Sequence, residues 1–185
     1  MFDFERFLEE KMNPLYRAHY AIWVHWWPVW RSITLKNILK YWEKCDLVKD
    51  GNIFLDYGCG TGDFSFQAAS RVSEEGKVFA LDYFPRQLEI VQAKAEKAGL
   101  DNIETILSDR DTGLPDESVD VVWMCDVLHE IKERRRVLKE MHRVLKDDGV
   151  LAIHDGMRER TLAYTANLFQ LSQKGDKFLT FDKIS

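Results

Sequence analysis

From Asn52 onward the chain alternates between short, continuously apolar runs and longer stretches in which apolar residues recur every three or four positions. Runs of the first kind make strands buried on both faces; the second kind makes helices laid against them. Their alternation predicts a parallel sheet with helices on both sides. Ile53-Phe54-Leu55 reads as the first strand and residues 64–72 as the first helix. Residues 77–81 form a second strand closing at Asp82. Pro85 then suits the first turn of a helix whose stripe is Leu88, Val91, Ala95 and Ala98, up to Gly99. Residues 103–107 and 119–124 give the third and fourth strands. Residues 132–146 predict an amphipathic helix with Val137, Leu138, Met141, Val144 and Leu145 on one face. Asp147-Asp148-Gly149 reads as a turn into a fifth strand, 150–153. A short helix over 158–166 follows, then two strands, 168–172 and 177–181, flanking the hairpin connection Gln173-Lys174-Gly175-Asp176.

The first fifty residues follow another pattern. Phe2, Phe4, Phe7 and Leu8 predict at least one helical turn. After Asn13-Pro14, residues Tyr16, Tyr20, Trp23, Trp27 and Trp30 share one helical face, joined by Trp26, and Pro28 kinks or ends that helix. Another helix over 35–45 leads into the first strand. We therefore expect an N-terminal helical cap, residues 1–50, belonging to the same domain as residues 51–185.

A chain of 185 residues is long enough for one domain with a sizeable core. Its 45% hydrophobic and 31% charged residues are those of an ordinary soluble globular protein. The net charge of −5 argues against non-specific binding of nucleic acid. The run Arg134-Arg135-Arg136 is interrupted by Glu133 and Glu140 and reads as a solvated helix face. Cys45, Cys59 and Cys125 are odd in number and lack any C-x-x-C pairing. That suits a reducing compartment, the cytoplasm, with neither a disulfide framework nor a structural metal site. With Asp3, Glu5, Glu9 and Glu10 near the start we expect no signal peptide, and no apolar run approaches the roughly 20 residues a bilayer demands. The Trp-rich segment leaves contact with a membrane surface open.

Ligands of open parallel sheets lie at the carboxyl ends of the strands. Asp56, Asp82, Asp109, Cys125-Asp126 and His154-Asp155 each follow an apolar run, so polar side chains gather at that end. Residues 55–62, Leu-Asp-Tyr-Gly-Cys-Gly-Thr-Gly, add three alternating glycines, Gly58, Gly60 and Gly62, between a strand and a helix start. Glycine there frees the backbone conformation and lets a ligand lie against bare main chain. The dinucleotide fingerprint would require glycine where Asp63 stands, and an acidic residue at that position repels a pyrophosphate.

Asp-x-Gly-x-Gly-x-Gly over 56–62 resembles the first motif of the class I S-adenosylmethionine-dependent methyltransferases. Asp82, Ser108-Asp109-Arg110 and Leu114-Pro115-Asp116 before Val119-Asp120-Val121-Val122 continue the resemblance toward the small-molecule branch, of type 11/25-like character, over about residues 50–183. It implies an α/β, Rossmann-like, doubly wound seven-stranded sheet. That sheet is parallel except for a C-terminal antiparallel hairpin strand, which slots between strands five and six. It also implies S-adenosylmethionine as cofactor and S-adenosylhomocysteine as product. Asp82, with Tyr83 beside it, would take the ribose hydroxyls, in preference to the alternative of capping the Pro85 helix. Asp109 would accept from the adenine amino group while the Arg110 N–H donates to the ring. Asp56 and the Cys125 backbone would face the ligand ammonium, and the amides of the loop around Gly58, Cys59, Gly60 and Gly62 its carboxylate. Tyr16 and Tyr20 resemble tyrosines that cover the cofactor in relatives. The stripe they belong to could pack on the domain, form a lid over an apolar acceptor, or cover a partner subunit.

The reaction implied is in-line transfer of a methyl group to a small-molecule acceptor. Positioning and water exclusion do most of the work, and a base is needed only where the acceptor must lose a proton. His154 with Asp155, and His129, are the candidate catalytic residues; His19 and His25 could also serve. Other readings are methylation of a protein or RNA, or a non-catalytic cofactor-binding module partnering another subunit. Monomer and homodimer are both compatible with the chain.

Overall fold

In the computed structural model, which describes residues 35–175 and 178–184, the strands are β1 Ile53–Tyr57, β2 Lys77–Asp82, β3 Ile103–Leu107, β4 Val119–Cys125, β5 Leu145–His154, β6 Phe169–Lys174 and β7 Phe178–Lys183. They form one sheet of order β3-β2-β1-β4-β5-β7-β6. β1 to β5 are mutually parallel, and β7 runs antiparallel to both β5 and β6. The expected doubly wound sheet is present, with the last strand between the fifth and sixth. Among the described residues of Cys45–Ser185, four helices accompany it: α1 Asp63–Val72, α2 Pro85–Ala98, α3 Arg134–Val144 and α4 Arg158–Thr165.

The two faces follow from the period-two alternation of the strands. Leu55, Leu81, Val122, Met124, Leu151, Ile153 and Leu179 meet Val137, Leu138, Met141 and Val144 of α3 in one continuous core. On the other face Ala80 packs with Leu88 and Val91 of α2, and Trp123 stacks between Phe64 and Phe178, with ring centroids 5.2 and 5.4 Å away. Each fully buried side chain of this kind contributes about 1.5–3 kcal/mol. Connections leave the sheet in opposite directions from β1 and β4, which opens a crevice between their carboxyl ends.

Three elements differ from the sequence reading: β6 extends through Gln173 and Lys174, which were expected in the hairpin connection, and the other two lie around β5. The helix expected over 132–146 runs only from Arg134 to Val144, because Leu145 turns extended (φ −68°, ψ 136°) and starts β5 directly. The expected turn at Asp147-Asp148-Gly149 lies inside β5. Pairing jumps from Val119↔Leu145 to Val121↔Val150, so four residues of β5 oppose Asp120 alone. This is a bulge. Asp120 anchors it, accepting from Lys146 Nζ at 2.6 Å and from the Ile53 N–H at 2.7 Å.

The chain divides into two compact units, Met1–Lys44 and Cys45–Ser185. In the first, residues 35–44 are helical, as expected, with Ile38 and Trp42 buried. The expectations for Phe2 to Trp30, including Tyr16, Tyr20, His19, His25 and Pro28, lie outside the described residues.

Candidate functional site

β1 ends in Tyr57, and the next residues cannot continue the strand: Gly58, Gly60 and Gly62 take φ of +75°, +52° and +84°. The three glycines are needed for different reasons. A Cβ on Gly58 would stand 2.5 Å from Val127 Cγ2, and one on Gly62 would stand 2.9 Å from both Phe66 and Val91. A Cβ on Gly60 would meet nothing within 4 Å. Two glycines therefore let the loop pack, and Gly60 alone leaves bare main chain facing open space.

The loop amides turn inward. Gly58 N–H and Cys59 N–H both donate to Leu81 O (2.8 and 2.9 Å), and Gly62 N–H donates to Cys59 O (2.9 Å). Gly60 N–H donates to Asp82 Oδ2 (2.9 Å), whose other oxygen accepts from Phe84 N–H (2.9 Å). This corrects the expectation that these amides stand ready for a ligand carboxylate. The reason is local: β1 and β2 end side by side, and the Leu81 carbonyl and Asp82 carboxylate need donors.

Asp56 is buried against α1, where Ser65 Oγ donates to its Oδ2 at 2.6 Å. Burial pushes its pKa up to about 7, with the Ser65 hydrogen bonds opposing the rise. Asp82 is buried as well, whereas Tyr83 lies half exposed, its ring 3.9 Å from that of Phe84. Asp109 is exposed, but its carbonyl accepts from Tyr57 Oη at 2.8 Å, which fixes the end of β3 to β1. The Arg110 N–H donates to Ser108 Oγ (3.2 Å), and its guanidinium pairs with Glu133 (2.7 Å) and Asp109 (3.2 Å). Burial holds the thiols of Cys59 and Cys125 well above their ordinary pKa, so neither serves as a nucleophile at neutral pH.

At the β4 and β5 ends the candidate bases separate. Asp155, buried, accepts from the backbone N–H of His129 and lies 3.1 Å from its Nδ1. Its second oxygen accepts from Met157 N–H at 3.0 Å. Asp155 thus serves His129, which corrects the expected pairing with its neighbour His154. Successive residues of an extended chain point to opposite faces, and His154 Nδ1 lies instead 3.7 Å from Cys125 Sγ. Nδ1 of His129 is engaged by the Asp155 carboxylate, Nε2 lies 3.8 Å from Oε1 of the exposed Glu130, and the ring is 41% exposed. Arg134 secures this loop, donating from Nε to Leu128 O (2.9 Å) and from Nη2 to His129 O (2.6 Å), with its guanidinium over the Tyr164 ring.

Ser65, Tyr57 and Arg134 were not read as functional from the sequence. Ser65 was the most accessible of them: it sits three residues beyond the last glycine, in the first turn of a helix that must face β1. Nothing local marks Tyr57 or Arg134.

Buried acids beside a glycine loop at a topological switch point define a Rossmann-like scaffold. The methyltransferase domain family matches residues 48–180, and this chain belongs to that family, among the class I S-adenosylmethionine-dependent methyltransferases. It is 34% identical over 148 residues to demethylmenaquinone methyltransferase of Listeria welshimeri, covering 79% of this chain and 59% of that protein. The same enzyme of Geobacillus stearothermophilus is 32% identical over 147 residues, covering 77% and 62%. The chain therefore spans about three-fifths of the length of these relatives. A solved S-adenosylmethionine-dependent methyltransferase from Aquifex aeolicus superposes with a TM-score of 0.70 at 25% identity, covering 80% of this chain and 88% of that one.

Proposed function

We propose that this chain transfers a methyl group from S-adenosylmethionine to a small hydroxy-aromatic acceptor, of the kind the demethylmenaquinone methyltransferase relatives are named for, and that His129 is its proton acceptor. The observation that carries this reading is the His129–Asp155 pair at the open end of β4 and β5. A carboxylate on Nδ1 fixes the tautomer and supports the imidazolium that forms when Nε2 takes a proton.

The residues present fit the cofactor. Asp56 favours an ammonium nearby, Asp82 lies at the β2 end where ribose hydroxyls would reach it, and Gly60 offers bare main chain. The exposed Asp109 carboxylate would accept from the adenine amino group, and the Cys125 carbonyl would face the ammonium. When bound, S-adenosylmethionine supplies a methyl group already activated on a sulfonium. The chain's own part is to hold the acceptor in line, exclude water and remove the acceptor proton, which makes a phenolic oxygen or its ring carbon nucleophilic. We place the protein in the cytoplasm on its free cysteines. Among the described residues no helix is long and apolar enough to cross a membrane.

The test is methyl transfer from labelled S-adenosylmethionine to a panel of hydroxynaphthoquinols, reduced in situ, with wild type and His129→Ala. The expected result is turnover in the wild type, a fall in kcat of about 10²–10⁴-fold in the variant, and unchanged affinity for S-adenosylhomocysteine. Cofactor binding without turnover on any such acceptor would overturn the acceptor class. Full activity of His129→Ala would remove the base.

A further inference from the structure

We propose that Cys125, Asp126 and His154 form a binding site for a divalent cation of zinc-like softness on the wall of the crevice. The sequence gives no hint of it, because His154 stands 28 residues beyond the adjacent Cys125 and Asp126, with no metal-binding spacing. Sheet register unites them: Cys125 pairs directly with His154 across β4 and β5, so both side chains project from the same face.

The distances suit a metal. Cys125 Sγ lies 3.7 Å from His154 Nδ1, and Asp126 Oδ1 lies 3.8 Å from the same nitrogen. One donor atom from each residue falls within 4.8 Å of the other two. Bonds of about 2.3 Å to sulfur and about 2.0–2.1 Å to nitrogen at a tetrahedral centre hold those two atoms about 3.5 Å apart. The sulfur–nitrogen edge is thus close to liganding length. The carboxylate must approach the imidazole nitrogen by about half an ångström, and the Asp126 side chain is 55% exposed.

The backbone supports the same arrangement. Asp126 holds a left-handed conformation (φ +50°). Its N–H donates to His154 O at 2.8 Å, which clamps the two ligand-bearing residues together. Strain kept in place by such a bond is common where side chains must converge. A set of thiolate, imidazole and carboxylate selects zinc-type ions over magnesium or calcium, which prefer oxygen alone. Three protein ligands leave a fourth position open, the hallmark of a site that takes a water or an exogenous donor.

Metal-free protein titrated calorimetrically with Zn²⁺, without cofactor, tests this independently of methyl transfer. One equivalent should bind, and Co²⁺ in its place should give a thiolate-to-metal charge-transfer band. Cys125→Ser and His154→Gln should lose that band or weaken affinity by about tenfold or more, whereas Cys45→Ser should change neither. Asp126→Asn, at an exposed position, supplies a variant whose folding is not in question; melting curves check the other two. Absence of a stoichiometric event, or equal affinity in Cys125→Ser and Asp126→Asn, would overturn the site.

Discussion

Ser65 Oγ donates to Asp56 Oδ2 at 2.6 Å within the interface of β1 and α1, and that bond restrains the rise in pKa that burial imposes on the carboxyl. Because the folded pKa, about 7, lies above the unfolded value of 3.8, the neutral carboxyl's stabilising share is complete below pH 3.8 and lost as pH climbs through 7. An ammonium against Asp56 reverses the preference and favours the charged form. Affinity for S-adenosylhomocysteine should therefore rise between about pH 6 and 8 and then level off, with proton release at the acid end. Calorimetry in buffers of different ionisation enthalpy reads that release. Ser65→Ala should move the profile to higher pH and Asp56→Asn should flatten it.

The glycines of the loop should separate stability from binding. Gly58→Ala meets both the left-handed backbone and the Val127 side chain, so it should destabilise by about 2–5 kcal/mol in urea titrations. Gly60→Ala meets only the backbone penalty, about 1–2 kcal/mol, yet should cost more cofactor affinity. Equal stability of the two variants would contradict this division.

Asp155→Asn should keep the fold and disturb the tautomer of His129. We expect kcat to fall about 10²–10⁴-fold with cofactor affinity within about twofold of wild type. A drop confined to KM would instead indicate that the pair binds the acceptor rather than its proton.

Glu140 provides a stability test away from the crevice. Arg143 bonds both of its oxygens (2.8 and 2.7 Å), and Thr112 donates to Oε1 from its N–H and its hydroxyl. Hydrogen bonding from Arg143 draws its pKa from 4.5 down to about 2. The lowered value means the contribution is present above pH 4.5 and lost as pH falls toward 2. Arg143 is partly exposed, so the share is modest: Glu140→Gln should lose about 1–2 kcal/mol at neutral pH, with the gap to wild type shrinking in acid.

Local patterning made most of the sheet legible. The stripe of Val137, Leu138, Met141 and Val144 announces α3, and the acids after each apolar run mark the ligand end. Pairings that depend on register were not legible. His129 meets Asp155, and Cys125 meets His154, only because β4 and β5 run side by side in one alignment. A sequence reader sees His154-Asp155 as a unit and has no local reason to divide them. The end of α3 was misjudged for a similar reason: Leu145 continues the helical stripe, yet its place beside Val119 draws it into the sheet.

The inward bonding of the glycine loop has a thermodynamic consequence. Gly58, Cys59, Gly60 and Gly62 already have acceptors in Leu81, Asp82 and Cys59 itself, so these N–H groups are satisfied before anything arrives. Capture of a ligand there must draw on side-chain charge rather than on those N–H groups, whose hydrogen bonds are already made.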